Sequence, residues 1–299
     1  MGRIRIVNPL SVAIPSMFKK ITTFYHDLRF TNAFFSVPLA YVGMLLALRD
    51  WPTWEQIMWI SLAVLGARLF GQAVNQVADK DFDALHPHKR YRAIPSGLIT
   101  VSEMSILGIV AAGIFLFSAA QLNFLALALA PIVLIYLVFY AFTKRFTWAT
   151  HLFMGATTGT AVAGGWVGVT GEISWSAAYL WMAAILWVAG FDLLLATLDH
   201  EFDIKYGLHS IVGKWGIVAS IRLSKLFYFL SAALFGFAGL IFDLSIFYYP
   251  FWIAASGVLV LQHYIFDPLN FDGSQRIWLW STAMFSVLLN VAVIFGLFF

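Results

Sequence analysis

The chain of 299 residues contains no cysteine, which excludes a disulfide framework and any thiolate metal site. Charge is also scarce. Asp, Glu, Lys and Arg make up 11% of the sequence, against about 25% in a soluble domain. Hydrophobic residues reach 61% and aromatics 17%, so composition points to an all-α, polytopic membrane protein embedded in a lipid bilayer. No Pro/Ser-rich linker or long charge run divides the chain, and a single transmembrane domain over residues 1–299 is expected. Residues 1–30 carry Arg3, Arg5, Lys19, Lys20 and Arg29 but no separate apolar run ahead of a small-residue cleavage site, so no cleaved signal peptide is expected. Residues 1–20, with Pro9 and Pro15, read as an irregular or interfacial lead-in. Gly164-Gly165 and their neighbours have no preceding strand and form no dinucleotide fingerprint. His86-Pro87-His88 lacks a thiolate or helical His partner that would complete a zinc site. The formal net charge is only +3; no nucleic-acid partner is expected, and the oligomeric state is left open.

What is present is a series of apolar segments, each near the roughly 17–25 residues a bilayer requires. Nine are expected, at 31–48, 56–78, 101–120, 123–142, 151–170, 177–197, 226–242, 248–265 and 277–298. The pair 101–142 reads as a helical hairpin, and Gly155-x3-Gly159 as a site of close helix packing. With nine spans, the N-terminus and the loops 79–100, 143–150, 198–225 and 266–276 share one side. That side holds 16 of the 18 basic residues, while Arg49 is alone opposite and Arg68 lies within the second segment. The positive-inside rule then makes that side cytoplasmic, in what is expected to be the cell inner (plasma) membrane.

Two acidic motifs end the second and sixth segments on that side. In the first, Asn75, Asp79 and Asp83 recur every four residues. On a helix each such step turns about 40° past a full circle and climbs about 6 Å, so the three form one oxygen-bearing stripe. The second comprises Asp192, Asp199 and Asp203, whose offsets also keep them within about 40° of one helix face. Oxygen donors suit a hard cation such as Mg²⁺, which binds through one or two carboxylates plus a substrate's phosphates. Two facing acidic helix ends could thus hold a diphosphate through metal ions. A lone interfacial aspartate is more often a solvated helix end, but doubled spacing on a shared face argues against that here. Asp192 lies among Leu, Val and Ala, where an acidic residue costs about 2.5–3.5 kcal/mol to insert; such residues usually mark a function. Arg68 is in a similar setting, two turns before Asn75. Its bland reading is an ion pair joining two helices.

Carboxylates alone would repel a diphosphate, so the adjoining basic loops matter. Most of their charges serve topology, or attract anionic headgroups at about 1 kcal/mol each. Arg92 and Lys144 are the preferred exceptions because their loops bracket the acidic motifs; Arg145 adjoins them. Arg suits bidentate phosphate recognition, whereas Lys acts as a point charge. The aromatics are mostly lipid-facing or interfacial by default, with a minority able to shield a carbocation through their π faces. Intramembrane carboxylates also mark cation-coupled transporters, but those favour midplane sites at interrupted helices. A non-catalytic scaffold leaves the doubled aspartates without a role.

These motifs resemble those of the UbiA superfamily of intramembrane prenyltransferases. The family's Asn-x3-Asp-x3-Asp motif is matched by Asn75, Asp79 and Asp83, and its Asp-x3-Asp by Asp199 and Asp203 after the earlier Asp192. Arg68 matches the arginine common in quinone-pathway members. Arg92-Ala93-Ile94-Pro95-Ser96-Gly97 and Lys144-Arg145-Phe146-Thr147 resemble two of their loops, and the likeness covers roughly residues 25–225. It implies nine helices around a central cavity and Mg²⁺ held by Asp79, Asp83, Asp199 and Asp203. It also implies a polyprenyl diphosphate donor bound by Asn75, Arg92, Lys144 and Arg145, and a small aromatic acceptor such as 4-hydroxybenzoate in ubiquinone biosynthesis. Catalytic roles are expected for Arg68, holding the acceptor's carboxylate, and for Asp192, orienting its hydroxyl or taking its proton. Gly207-Leu208-His209-Ser210 departs from the Gly-Ile-Lys-Ser of ordinary 4-hydroxybenzoate enzymes and looks closer to the branch that prenylates a dihydroxynaphthoate in a menaquinone route.

Overall fold

The structure, a computed structural model, describes residues 33–299. The lead-in over residues 1–20 and the basic residues Arg3, Arg5, Lys19, Lys20 and Arg29 lie outside the described residues. Within them every regular element is helical: α1 (Ala33–Leu48), α2 (Trp54–Ala78), the short α3 (Lys80–Leu85), α4 (Val101–Leu122) and α5 (Phe124–Phe142). After a 3₁₀ turn at Thr143–Arg145 follow α6 (Thr150–Thr170), α7 (Trp175–Thr197), the short α8 (His200–Lys205), α9 (Ile211–Ile241), α10 (Tyr248–Ile265) and α11 (Phe271–Phe298). Each of the nine apolar segments falls on one long helix. Among the described residues six helices are long and apolar enough to cross a membrane, namely α2, α4, α5 continued to Arg145, α7, α9 and α11, while α1 is apolar but shorter. The protein is therefore an all-α polytopic integral membrane protein.

Local chemistry explains the boundaries. Thr53 with Gln56, and Thr100 with Glu103, form capping boxes that start α2 and α4, satisfying N-terminal N–H groups that the helix leaves unpaired. The hairpin between α4 and α5 turns on Asn123 alone. Its side chain accepts from Ala126 N at 2.8 Å, and its Nδ2 donates to the carbonyls of Val167 and Gly168. One expectation needs correction: residues 198–225 are not a loop. They contain α8 and the first half of α9, which starts at its N-cap Ser210 and is broken at Gly216 (φ 79°). Lys214, Arg222 and Lys225 lower the apolarity there without disturbing helical hydrogen bonding. The Gly216 conformation lies in the left-handed region that side chains disfavour.

The long helices touch in chain order, α1 to α2, α2 to α4, then through α5, α6, α7, α9 and α10 to α11, which closes the ring on α1. Across the ring α1 also packs on α6. Small residues permit that approach: a Cβ at Gly43 would collide with the Val162 carbonyl, and one at Gly165 with that of Ala40. Gly155 and Gly159 similarly bring α6 against α7, since a Cβ at Gly155 would stand 2.5 Å from the Ile185 carbonyl oxygen. The α1–α6 contact divides the interior. On one side Phe35, Trp187, Phe191 and Phe285 fill the core with edge-on and tilted ring pairs whose centroids are 4.7–6.0 Å apart. On the other side α1, α2, α4, α5 and α6 line a half-open cavity of about 230 Å³.

Candidate functional site at the acidic helix ends

Both acidic motifs are built the same way. α2 ends at Ala78 and α7 at Thr197; after a brief break each is followed by a helix of six residues, α3 or α8. The stripe survives the break, because Asp79 N donates to Asn75 O at 2.9 Å and Asp83 N to Asp79 O at 2.8 Å. Asp203 N likewise donates to Asp199 O at 2.8 Å. This spacing leaves Asp79 and Asp199 at the junctions and folds Asp83 and Asp203 inward, where they are 5% and 1% exposed.

Each of the four carboxylates at the helix ends, Asp79, Asp83, Asp199 and Asp203, faces a cation. Arg92 Nη1 donates to Asp83 Oδ2 at 2.7 Å, and Lys144 Nζ stands 3.6 Å from Asp203 Oδ2. Arg145 Nη2 lies 3.7 Å from Asp79 and donates to the Ala78 carbonyl at 2.5 Å. Asp199 is held most tightly, by Lys89 Nζ at 2.5 Å and His86 Nε2 at 3.1 Å. Backbone contacts fix this frame: His209 N donates to the Lys144 carbonyl at 2.7 Å, so the Gly207-Leu208-His209-Ser210 segment is tied to the loop carrying Lys144 and Arg145.

These surroundings move the two junction carboxylates in opposite directions. Desolvation and the neighbouring Asp83 push Asp79 up, only partly opposed by Lys144, Lys89 and Arg145. Burial works against ionisation of Asp199 too. There Lys89, the His86 hydrogen bond and Lys144 outweigh it and hold the carboxyl well below the usual range.

Arg68 and Asn75 both line the cavity, with Arg68 deeper along α2. Arg68 Nη1 donates to Ser36 Oγ at 2.9 Å, and its guanidinium lies 4.6 Å from the centre of the Phe35 ring. Asp192 instead pairs with His151, whose Nδ1 is 2.7 Å from Asp192 Oδ2. Four contributors were not singled out in the sequence as site residues. His86 was weighed only as a zinc ligand and Lys89 only as a topological charge. Ser36 carries no signal, and His151 was readable as an ionisable side chain at the mouth of an apolar span.

A hard cation can be tested against this donor set. Asp79, Asp83, Asp199 and Asp203 supply oxygen donors of the kind Mg²⁺ takes, and the buried Asp203 Oδ2 has no hydrogen-bond partner. The chemistry fits. Among the described residues, however, no three His, Asp or Glu side chains are gathered as a metal cage, because each carboxylate is turned to a basic neighbour.

Comparison with known proteins agrees with these features. Residues 36–296 match the UbiA prenyltransferase family. The chain is 28% identical to the 4-hydroxybenzoate octaprenyltransferase of Shewanella amazonensis over 211 residues, covering 69% of this chain and 72% of that one. Against the enzyme of the same name from Shewanella sediminis it is 30% identical, covering 69% and 73%. Among solved structures, a UbiA homolog from Aeropyrum pernix superposes with a TM-score of 0.79 at 29% identity, covering 88% of this chain and 96% of that one. A UbiA homolog from Archaeoglobus fulgidus bound to GPP and Mg²⁺ shares the fold, with a TM-score of 0.73 at 18% identity over 91% and 98% of the two chains.

Proposed function

The chain belongs to the UbiA prenyltransferase family and is a prenyltransferase, and we propose that it moves a polyprenyl group from its diphosphate to an aromatic carboxylate of the 4-hydroxybenzoate type. One observation carries this reading: Arg68 and Asn75 on α2 line an apolar cavity, and one turn beyond Asn75 the same helix runs into the first of two sets of cation-paired carboxylates. The cavity exceeds the roughly 150 Å³ known to admit a benzene ring. We take all nine long helices as spans of one domain, with both motifs at the cytoplasmic face of the inner membrane, supported by the placement of 16 of 18 basic residues.

Asp79, Asp83, Asp199 and Asp203 would hold Mg²⁺, which when bound neutralises the diphosphate and makes it a better leaving group. Arg92, Lys144 and Arg145, released from the carboxylates, would turn to the phosphate oxygens, with Asn75 adding a polar contact at the cavity mouth. Arg68 would hold the acceptor's carboxylate beside Phe35, and Asp192 would face its hydroxyl. The apolar walls exclude water that would quench the allylic cation. In the transfer the C1–O bond to the diphosphate breaks, the pair leaving on oxygen, and a ring carbon bonds to C1 as the hydroxyl proton passes to Asp192. Loss of the hydrogen on the substituted carbon as a proton, and return of one to the oxygen, restore the ring; one proton is released overall.

Purified protein should transfer a labelled prenyl group to 4-hydroxybenzoate or to a dihydroxynaphthoate, lose activity in EDTA and regain it with Mg²⁺. Cation-coupled uptake into vesicles without transfer would instead identify a transporter. Arg68→Ala should raise the acceptor KM by tenfold or more, given about 1.5–3 kcal/mol for a charged hydrogen bond, with donor affinity intact. Equal effects on both substrates would remove Arg68 from the acceptor site.

A further inference from the structure

Asp192 is a carboxylate inside a transmembrane helix, and the structure gives it a partner that the prenyl-transfer reading does not use. His151 opens α6, is fully buried, and brings Nδ1 to 2.7 Å from Asp192 Oδ2, while the Asp192 side chain stays 21% exposed. The pair therefore presents its carboxylate outward and its imidazole behind. His151 Nε2 is buried with no hydrogen-bond partner. An ionised carboxylate can only accept, so Nδ1 is the nitrogen that carries the proton donated to Asp192. The arrangement is rigid, because Gly155, one turn along α6 from His151, seats that helix on α7 at Ile185. Neither residue of the pair is on the cavity wall, but Met154 and Thr158, on the face of α6 that carries His151, line it.

We propose that His151 is a positioning residue for the acceptor step. It holds one oxygen of Asp192 so that the other meets the acceptor's hydroxyl, and it exchanges no proton itself. The inference rests on the prenyl-transfer reading above, in which Asp192 takes the hydroxyl proton. A free carboxylate on α7 could rotate away; one tied to α6 cannot do so without breaking a charge-assisted hydrogen bond in a buried setting.

The test uses the full-length protein in detergent with a labelled prenyl diphosphate and 4-hydroxybenzoate. General acid–base groups contribute about 10²–10⁴-fold, and loss of positioning alone should cost part of that, so His151→Ala is expected to lower kcat about 10- to 100-fold with donor KM unchanged. Asn places an amide N–H near the position of Nδ1 but cannot relay a proton, so His151→Asn should recover most of kcat. Wild-type turnover in His151→Ala would overturn the proposal. So would a folded His151→Asn as impaired as the alanine variant, which would mark His151 as a proton carrier. A readout independent of turnover is ¹⁵N NMR of the histidines. His151 should show Nδ1–H in the wild type and lose that signature in Asp192→Ala, which leaves no acceptor; an unchanged tautomer overturns the pairing even if His151→Ala fails to fold. If the wild type prenylates no aromatic, the functional reading falls, while the NMR result still decides the pairing.

Discussion

Residues 79–85 and 199–205 share one backbone. Asp79 (φ −97°, ψ 8°) and Asp199 (φ −102°, ψ 2°) occupy the same junction before helices of equal length, and the carboxylate four residues on is buried in both. Their partners differ. The Asp79 side chain is 40% exposed and meets only Arg145 at 3.7 Å, whereas Asp199 is 13% exposed and gripped by Lys89 and His86. Partner choice also crosses between the motifs, since Lys89 and His86 from the loop after the first hold Asp199 of the second, while Arg92 of that loop stays on Asp83 and Asp203 faces Lys144. Two junctions alike in backbone are therefore unequal in their partners: the first motif is more open at its outer carboxylate and the second is closed over its own. An incoming metal diphosphate displaces only a long Arg145 contact at Asp79, while engaging Asp199 requires Lys89 and His86 to let go.

Removing either outer carboxylate tests whether the halves are nevertheless both required, and this is the largest effect expected. Asp79→Ala and Asp199→Ala should each lower prenyl transfer by a factor of 10² or more, since an electrostatic stabiliser of this kind is worth about 10²–10³ in kcat. A variant at either position that turns over near the wild-type rate would show that one motif suffices and would sink the two-motif arrangement.

Stability should separate the halves where activity does not. Asp199→Ala strands Lys89 and the buried His86, and the structure should lose about 2–3 kcal/mol, short of the roughly 3–5 of a fully buried pair because Lys89 is partly solvated. Asp79→Ala removes only a long, half-exposed contact and should change stability by less than about 1 kcal/mol. Melting curves in one detergent decide this; equal losses would mean that the tight pairing of Asp199 is not what distinguishes it.

Much of this contrast could not be read from the chain. The Asn75–Asp79–Asp83 stripe was legible because helical spacing is local, and the structure keeps it through the break after Ala78. The place of Arg68 beside Asn75 on the cavity wall follows from the same periodicity. The grip on Asp199 was not legible, since Lys89 and His86 lie 110 and 113 residues away in sequence, and no local pattern tells a lysine that marks topology from one that closes a site. His151 was hidden in the same way, 41 residues from Asp192. The first half of α9 was missed because hydropathy reports lipid contact, not hydrogen bonding. The placement of the cavity under five helices, with aromatics filling the other side, depends on the close approach of α1 and α6 at Gly43 and Gly165. Only tertiary structure reveals that.

The smallest effect, and the most specific to the comparison, is in the pH dependence of stability. Asp199 has a folded pKa below its unfolded value of about 3.9, so its contribution is fully present above that value and is lost as pH falls through the folded one. Asp79 has a folded pKa raised by desolvation and by Asp83, so the sign reverses: its contribution is fully present below about pH 3.9 and is lost as pH rises through the folded value. Neutral replacements isolate each term. Relative to the wild type, Asp199→Asn should lose melting temperature most near neutral pH, with the gap closing in acid. Asp79→Asn should gain relative to the wild type as pH rises from about 4 towards neutrality, because the penalty of ionising a crowded carboxyl is gone. Subtracting the two difference curves cancels the remaining carboxylates, which both variants keep. Curves that slope the same way would mean that the two junction carboxylates sit in equivalent electrostatic settings, and that the asymmetry between the motifs has no thermodynamic consequence.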